Sequence, residues 1–267
     1  IRVAHCPERV LPGHVVRELV ENDRIIGGMT ERCSEAAIQL YKIFVEGECV
    51  VTNARTAEMA KLTENASRDV SIAFANELSV ICDKIDVDVW ELIQLANRHP
   101  RVNILQPGPG VGGHCIAVDP WFIVSRTPEQ ARLILTARSV NDAKPAWVIE
   151  RVKVSIAEFL QDNPEKKISD VTIACYGLAF KADIDDLRES PALNIAQELT
   201  RMHSGTTLSV EPNISDLPAN VKGIKLVSYD DAILAANIHV LLVDHSLFKE
   251  KKIVAKFTVD CKGIWKS

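Results

Sequence analysis

The chain has 267 residues, of which 47% are hydrophobic and 25% are charged. This length and apolar content suffice for roughly two ordinary domains with real cores. The formal net charge of −5 argues against sequence-independent binding to nucleic acid, which requires a basic surface. No apolar run approaches the roughly 20 residues of a membrane-spanning helix, and no signal peptide is visible.

Residues 1–50 have the pattern of the end of an α/β domain. The chain opens with IRVAHCPERV, which has no initiator Met and starts within a strand-like run, so we interpret it as a fragment of a longer protein. Extended pieces at Ile1–Ala4 and Arg24–Gly28 flank a Pro/Gly-rich loop, and a helical stretch, SEAAIQLYKIFVEG, follows. Strand, loop, strand and helix in this order predict the C-terminal remnant of such a domain.

Residues 51–160 are predicted to form a helical domain. From Thr56 to about Ala96, apolar residues recur at helical spacing without Gly or Pro. The polar stretch Asp83–Asp88 is expected to divide this run into a long and a short helix, and a further helix is predicted over Glu129–Leu160. A helix this long outside a coiled coil is typically the centre of a helical domain and often a subunit interface.

A polar linker at Asp162–Lys167 precedes a second α/β segment, residues 168–267. VTIACYGLAF has the pattern of a buried strand, and SPALNIAQELTRMHS that of a helix with Ser190 as its N-cap. Strand and helix patterns then alternate through TTLSVEP, DDAILAAN, IHVLLVDH and FTVDCKGIW. This alternation predicts a small, mostly parallel sheet, so the fold class of the chain is α/β with a central all-α segment.

The stretch QPGPGVGGHCIAVDPW, residues 106–121, contains three glycines at the spacing G-x-G-x-x-G of a dinucleotide-binding fingerprint. That fingerprint works only between a strand and a helix. Here the preceding NIL is too short for a strand, two prolines lie inside the turn, and Pro120 is expected to close the segment before a helix can form. The dinucleotide interpretation therefore fails on context.

Cys115, which follows the four glycines of this stretch, is the candidate nucleophile. The seven cysteines are odd in number and scattered without a C-x-x-C pair, which argues against a disulfide framework or a zinc knuckle and favours a reducing cytoplasm. Glycines let backbone N–H groups approach an anion closely, and a thiolate beside such donors is nucleophilic. The alternative is a flexible, buried loop with an inert thiol. Asp119 and the basic H-P-R upstream favour a reactive site.

Four motifs, PERVLPG, AKLTENASRDVSIAFANEL, GPGVGGHCIAVDPW and GLAFKADIDDLRESPA, closely resemble the UDP-glucose/UDP-mannose dehydrogenase family in their family order. The resemblance runs through essentially all of the chain. It implies the end of an N-terminal Rossmann domain that binds NAD, a long-helix dimerisation domain and a C-terminal Rossmann-like domain that binds UDP. It also implies a UDP-sugar substrate, a homodimer, and no nucleic-acid or membrane partner.

The implied reaction is the NAD-dependent, four-electron oxidation of the sugar C6 alcohol to a carboxylate. Cys115 would attack the C6 aldehyde to give a thiohemiacetal, whose oxidation yields a thioester that water cleaves. By resemblance, Lys61 is the general acid/base, Asn65 orients a water or an oxyanion, and Asp119 is the assisting carboxylate. Glu8 matches the acid of the hydrolytic half-reaction. Lys61 and Asn65, four residues apart, lie on one face of the long helix.

Further residues are assigned to substrate and cofactor by the same resemblance. Arg9 and Val10 begin a loop, continuing to Gly13, that would cradle the sugar, and Arg101 would reach into the neighbouring subunit's site. The predicted substrate contacts are Arg9, Val10, Lys61, Asn65, Arg68, His99, Arg101, Gly112, Phe180, Lys181 and Lys262, and the predicted NAD contact is Arg188. Glu211, which ends the second strand of the C-terminal segment, is expected to be a structural cap.

Two departures from UDP-glucose enzymes, a shorter glycine loop and Val118 in place of a usual Lys, favour UDP-N-acetyl-D-mannosamine as the substrate. The product would serve bacterial surface polysaccharide, such as enterobacterial common antigen. Another UDP-sugar, UDP-glucose or UDP-N-acetylglucosamine, is the first alternative. The second is a non-catalytic dimerisation and UDP-binding module, because the chain contains no NAD fingerprint and the fragment is expected to be inactive alone.

Overall fold

The structure is a computed structural model that describes residues 1–10, 14–219 and 221–265. Residues 11–13 of the predicted sugar-cradling loop lie outside these ranges. The helices are α1 Val15–Glu21, α2 Glu31–Tyr41, α3 Ala54–Lys84, α4 Val89–Ala96, α5 Asp119–Arg126, α6 Arg132–Asp162, α7 Pro191–Met202, α8 Tyr229–Ala235 and α9 Ser246–Glu250. The strands are β1 Ala4–His5, β2 Arg24–Gly28, β3 Cys49–Asn53, β4 Thr172–Tyr176, β5 Thr206–Val210, β6 Ile238–Leu241 and β7 Thr258–Asp260.

A small mixed sheet begins the chain, in the strand order β1-β2-β3. β1 pairs antiparallel with β2, whereas β3 pairs parallel with it. The predicted strand at Arg24–Gly28 is confirmed as β2. The sequence analysis did not anticipate α1 or β3, because both are short and β3 runs directly into the long helix that dominates the pattern. β3 leads into α3 through Asn53, whose side chain accepts a hydrogen bond from the Thr56 amide at 2.9 Å.

Two helices of 31 residues each, α3 and α6, form the centre of the fold. The predicted division near Asp83–Asp88 is confirmed: α3 ends at Lys84, Asp86 takes a left-handed φ of 56°, and Asp88 caps α4. The Asp88 carboxylate accepts hydrogen bonds from the amides of Trp90 and Glu91. Within the described residues, no helix is both long and apolar enough to cross a membrane.

A buried polar network joins α3 to α6. The Arg138 guanidinium lies 2.7 Å from the Asp69 carboxylate, and these side chains are 2% and 0% exposed. The Asn141 amide donates to Asp69 Oδ1 at 2.8 Å and accepts from Asn76 Nδ2 at 2.9 Å. Such groups are costly to bury unless each is paired, so they fix the register of the two helices more strictly than apolar contact would.

The C-terminal segment is the predicted parallel sheet, with the strand order β5-β4-β6-β7. All of its strand pairs are parallel, and helices cover the sheet. The Ser190 hydroxyl accepts from the Leu193 amide at 3.3 Å, which confirms the predicted N-cap of α7. The sheet's core continues onto α6 through Val148, Val152 and Phe159, so α6 belongs to both halves of the molecule.

Replacing Asp69 with Ala is expected to lower the free energy of unfolding by about 3 kcal/mol, because the buried Arg138 guanidinium then keeps only its pair with the half-exposed Asp142. Urea denaturation followed by circular dichroism measures this change. The control is Glu150→Ala, which removes the partner of Lys153 in an exposed pair and should leave the midpoint nearly unchanged. Equal effects of the two substitutions would contradict a structural role for the buried pair.

Candidate active site

The glycine loop, residues 105–118, connects α4 to α5 without regular secondary structure. No strand precedes its glycines, which confirms that the fingerprint spacing does not mark a dinucleotide turn. The expectation that Pro120 prevents a helix is wrong, because α5 begins at Asp119 with Pro120 in its first turn. Proline fits there because the amide it lacks has no partner inside a helix at that position.

Cys115 lies beside the start of α5 and is half-buried. Its carbonyl accepts hydrogen bonds from the amides of Val118 at 3.1 Å and Asp119 at 2.8 Å. Asp119 in turn accepts from Asn65 Nδ2 at 2.5 Å. Lys61 lies one turn before Asn65 on α3 and is partly buried. The structure therefore brings Asn65 and Asp119 into contact at the turn that holds the cysteine.

The backbone around Cys115 offers free hydrogen-bond donors. In this fully described stretch, none of the amides of residues 110–117 donates a hydrogen bond to another protein group. Gly110 and Gly113 have φ of +144° and +82°, which other residues rarely adopt. Amides that are free and close to a thiol can bind an anion or a developing oxyanion.

The Phe180–Pro191 segment of the C-terminal half packs directly onto this loop. A Cβ added at Gly112 would lie 2.5 Å from the Glu189 carbonyl oxygen and 2.7 Å from Pro191 Cδ. A Cβ at Gly113 would lie 3.1 Å from the Phe180 ring. The glycines at these positions thus permit the close approach of two halves of the chain, and Phe180, a predicted substrate contact, lies against Gly113.

Lys262 lies at the other end of the loop. Its Nζ is 3.2 Å from an Asp244 carboxylate oxygen and would be 3.6 Å from a Cβ added at Gly108. Burial alone would raise the pKa of Asp244, but the ammonium groups of Lys262 and Lys249 hold it below its usual value. Lys262 is therefore held in place by Asp244, at the point where the loop begins.

Arg188 and Lys181 are exposed near the loop. Arg188 Nη2 lies 2.6 Å from Asp186 Oδ2, and hydrogen bonding to this guanidinium lowers the pKa of the Asp186 carboxyl. Arg188 lies in the segment between Phe180 and Pro191 that packs on the glycine loop. A cation near this loop is suited to a negatively charged ligand.

The remaining predicted residues make no hydrogen bond or ion pair with Cys115 within the described residues. Arg9 forms an ion pair of 2.7 Å with Glu64 on α3, which places it beside the helix that carries Lys61 and Asn65. Glu8 is exposed, and Val10 is partly exposed. Arg68, His99 and Arg101 are exposed, and in the described part of the chain no hydrogen bond or ion pair joins them to the glycine loop.

A cavity of about 520 Å³ opens on the other side of Pro107 and Gly108, between α3, α6 and β7. Lys144 lies in its wall, and burial lowers the pKa of this lysine to about 8. Lys144 donates to Ser79 at 2.6 Å and stacks on Trp147. The cavity contains none of the predicted catalytic residues, so we place the chemistry at Cys115 instead.

Sequence reasoning missed the partner of Glu211. The Glu211 carboxylate accepts from the amides of Leu178 and Ala179 at 2.7 and 3.0 Å, directly after the Gly177 turn, and lies 3.1 Å from His245 Nε2. Burial opposes ionisation, yet these donors hold the pKa of Glu211 below its usual value. These turn amides would bind a phosphate in a dinucleotide domain. The contacts are those of the expected cap, and they leave the amides of Leu178 and Ala179 already bonded to a carboxylate.

Fold and site together define a nucleotide-binding α/β protein with a cysteine on a glycine loop. Three domains of the UDP-glucose/GDP-mannose dehydrogenase family match the chain: the NAD binding domain over residues 1–45, the central domain over 55–143 and the UDP binding domain over 174–267. The chain belongs to this family. The family's second sugar nucleotide is GDP-mannose, which corrects the expected UDP-mannose.

Relatives align over nearly all of the chain. It is 62% identical over 270 residues to a UDP-N-acetyl-D-mannosamine dehydrogenase of Salmonella typhi, covering 100% of this chain and 64% of that protein. It is 63% identical over 268 residues to an NDP-N-acetyl-D-galactosaminuronic acid dehydrogenase of Ralstonia nicotianae, covering 99% and 61%. The chain thus spans less than two thirds of the length of either relative.

Solved structures of the family have the same fold. The UDP-N-acetyl-mannosamine dehydrogenase Cap5O from S. aureus superposes with a TM-score of 0.82 at 42% identity, covering 100% of this chain and 62% of that one. A UDP-D-ManNAc dehydrogenase from Pyrococcus horikoshii gives a TM-score of 0.84 at 38% identity, with the same coverage of 100% and 62%.

Gly112→Ala is expected to weaken UDP binding by at least about tenfold, because the new Cβ must push the loop away from the Glu189 carbonyl. Isothermal titration calorimetry with UDP measures the effect. Gly108→Ala is the matched control for stability, since its Cβ would meet nothing closer than 3.6 Å. If the Gly112→Ala variant has the same stability and the same affinity for UDP as the unaltered chain, the close packing has no role in the site.

Proposed function

We propose that the chain is the catalytic-loop and UDP-binding portion of an NAD-dependent UDP-sugar 6-dehydrogenase. The observation that carries this proposal is the half-buried Cys115 on a loop of free amides, next to the hydrogen-bonded pair Asn65 and Asp119. Family membership supports the same assignment. The reaction converts the C6 alcohol of the bound sugar to a carboxylate in two oxidation steps.

The proposed chemistry uses five side chains, those of Cys115, Lys61, Asn65, Asp119 and Glu8. Lys61 takes the proton of the C6 hydroxyl as the first hydride leaves, and the Cys115 sulfur then adds to the aldehyde carbon to form a thiohemiacetal. The free amides of the loop stabilise the oxygen charge, and a second hydride transfer leaves a thioester. A water oriented by Asn65 and Asp119 cleaves the thioester, which releases the acid and restores the thiol. Glu8 is assigned to this hydrolytic step.

Two molecules of NAD⁺, bound in succession, would supply the hydride acceptors for the two oxidations. In this chain the exposed Arg188, held by Asp186, is the residue that we assign to the cofactor. UDP belongs to the C-terminal half and the loop, where Phe180, Lys181 and Lys262 are available. The turn after Gly177 fits this division, because its amides already donate to Glu211 and are not available to a dinucleotide phosphate.

The proposed sugar is UDP-N-acetyl-D-mannosamine. The Salmonella relative, a UDP-N-acetyl-D-mannosamine dehydrogenase, supports this assignment, as do the Cap5O and Pyrococcus structures. The Ralstonia relative, of nearly equal identity, favours an N-acetyl-D-galactosamine derivative as the second candidate. Both candidates are acetamido sugars, so the acetamido group is the common element of the proposal. The acid would supply bacterial surface polysaccharide, such as enterobacterial common antigen.

We also propose a cytoplasmic homodimer formed through the long central helices. Large apolar side chains on α3 and α6 support this: Phe74 is 51% exposed, Ile81 46% and Leu133 68%. Arg101, which is exposed on the turn after α4, would then serve the neighbouring subunit's site. Seven cysteines without a disulfide among them fit a reducing compartment.

The sugar assignment predicts that UDP-N-acetyl-D-mannosamine binds this chain at least about tenfold more tightly than UDP-glucose, because the glucose derivative leaves the acetamido contacts unmade. Calorimetry with both nucleotides and with the galactosamine derivative ranks them. Tightest binding of UDP-glucose would refute the acetamido assignment. The chain alone is expected to form no NADH with any of these nucleotides, and NADH formation in the presence of NAD⁺ would exclude the non-catalytic module.

Cys115→Ala is expected to reduce acid formation by at least about 1000-fold in a dehydrogenase form with a complete NAD-binding domain, since no other group can hold the aldehyde. NADH absorbance with the acetamido sugar nucleotide measures the rate. Cys82→Ala is the matched control, because Cys82 is 2% exposed in the separate cluster around α4. Comparable rates for both variants would overturn the nucleophile assignment.

A further inference from the structure

Asn76, on α3, binds the first part of the glycine loop. Its side chain is fully buried, and its Oδ1 accepts a hydrogen bond of 2.9 Å from the Gly108 amide. The amides of residues 110–117 have no protein partner. The bond from Gly108 therefore attaches the loop to α3 just before this stretch of unpaired amides. The donor and the acceptor are both buried, so the bond is costly to leave unmade.

The orientation of the Asn76 amide is fixed by its second contact. Asn76 Nδ2 donates to Asn141 Oδ1 at 2.9 Å, and the Asn141 amide nitrogen donates to the main-chain oxygen and the carboxylate of Asp69. A reversed Asn76 amide would place its NH₂ against the Gly108 N–H and its oxygen against the Asn141 oxygen. The network between α3 and α6 therefore keeps the Asn76 oxygen directed at the loop.

The other end of the glycine loop is attached to the same helix. Asn65 donates to Asp119, immediately after the loop, and Asn65 and Asn76 are both on α3. Their spacing along the helix corresponds to about 16 Å at the helical rise per residue. Cys115 lies on the span between these two attachments, so its position relative to Lys61 depends on both.

We propose that Asn76 is a positioning residue that holds the glycine loop so that the Cys115 sulfur meets the substrate beside Lys61. This assignment goes beyond the proposed function and rests on it only for the identity of the substrate. The physical reason is that the free amides of the loop bind ligand rather than protein, so the loop must be held from its ends. A displacement of about 1 Å at a reacting atom can cost roughly 100-fold in rate.

Two substitutions at Asn76 separate positioning from stability. Asn76→Asp keeps an oxygen for the Gly108 amide and, as the neutral acid that burial favours, can still donate to Asn141 Oδ1, whereas Asn76→Ala loses both bonds. Ser79→Ala is the control on the same helix, since it removes a buried hydroxyl that donates to the Asn76 carbonyl at 2.6 Å and accepts from Lys144. All three variants should be less stable in urea denaturation.

Hydrogen–deuterium exchange of the peptides covering residues 105–118 is the main measurement, with the alkylation rate of Cys115 by iodoacetamide as the second. We expect Asn76→Ala to speed exchange of the Gly108 region by about tenfold and to change the alkylation rate severalfold. Asn76→Asp and Ser79→Ala should leave both close to the values of the unaltered chain. If Asn76→Ala matches Ser79→Ala in exchange and alkylation, the proposal is overturned.

Turnover provides a further test in a dehydrogenase form with a complete NAD-binding domain. There Asn76→Ala should lower kcat by about 10–100-fold with KM little changed, and Asn76→Asp should recover most of the loss. An equal loss in Asn76→Asp would mean a purely structural role and contradict the proposal. The exchange and alkylation measurements do not depend on catalysis. They therefore test the attachment of the loop by Asn76 even if the dehydrogenase assignment fails.

Discussion

The buried ion pair between Asp69 and Arg138 is the interaction on which the rest of the molecule depends. It fixes α3 against α6, and each of these helices contributes to a different part of the site. Burial opposes the charge and raises the pKa of Asp69, although the guanidinium and Asn141 favour its ionised form. A helix pair held in this way tolerates little sliding, because any shift would separate charges that have no access to water.

Because these two helices are held together, the site combines residues from α3 with residues from the C-terminal half of the chain. α3 provides Lys61 and Asn65, and α6 continues into the core of the C-terminal half, which brings Phe180 and Lys262 to the glycine loop. Pro145 stands within α6 and faces Gly110, with its Cγ 3.4 Å from where a Cβ would be. The loop thus lies between α3, α6 and the C-terminal half, and glycine is required at positions such as Gly112, where a Cβ would meet the Glu189 carbonyl oxygen at 2.5 Å.

The regular elements with strong periodicity were predictable. The α3–α4 division and the parallel C-terminal sheet follow from apolar spacing and capping residues that act locally. The short β3 was missed because five residues carry little pattern, and Pro120 was misjudged because a proline excludes helix interiors but not first turns. Of the site, Cys115 and Phe180 could be anticipated from motifs. The contacts of Asn76 and His245 could not, since they join residues far apart in sequence.

The carboxylate of Glu211 has a consequence for anion binding at the turn after Gly177. Both ends of the chain belong to domains of a nucleotide-binding type, and one of them already holds a negative charge of its own at the phosphate turn. An anion that approaches this turn meets electrostatic repulsion, because the amides of Leu178 and Ala179 already donate to the Glu211 carboxylate. The turn is therefore a closed structural element and not an open anion site.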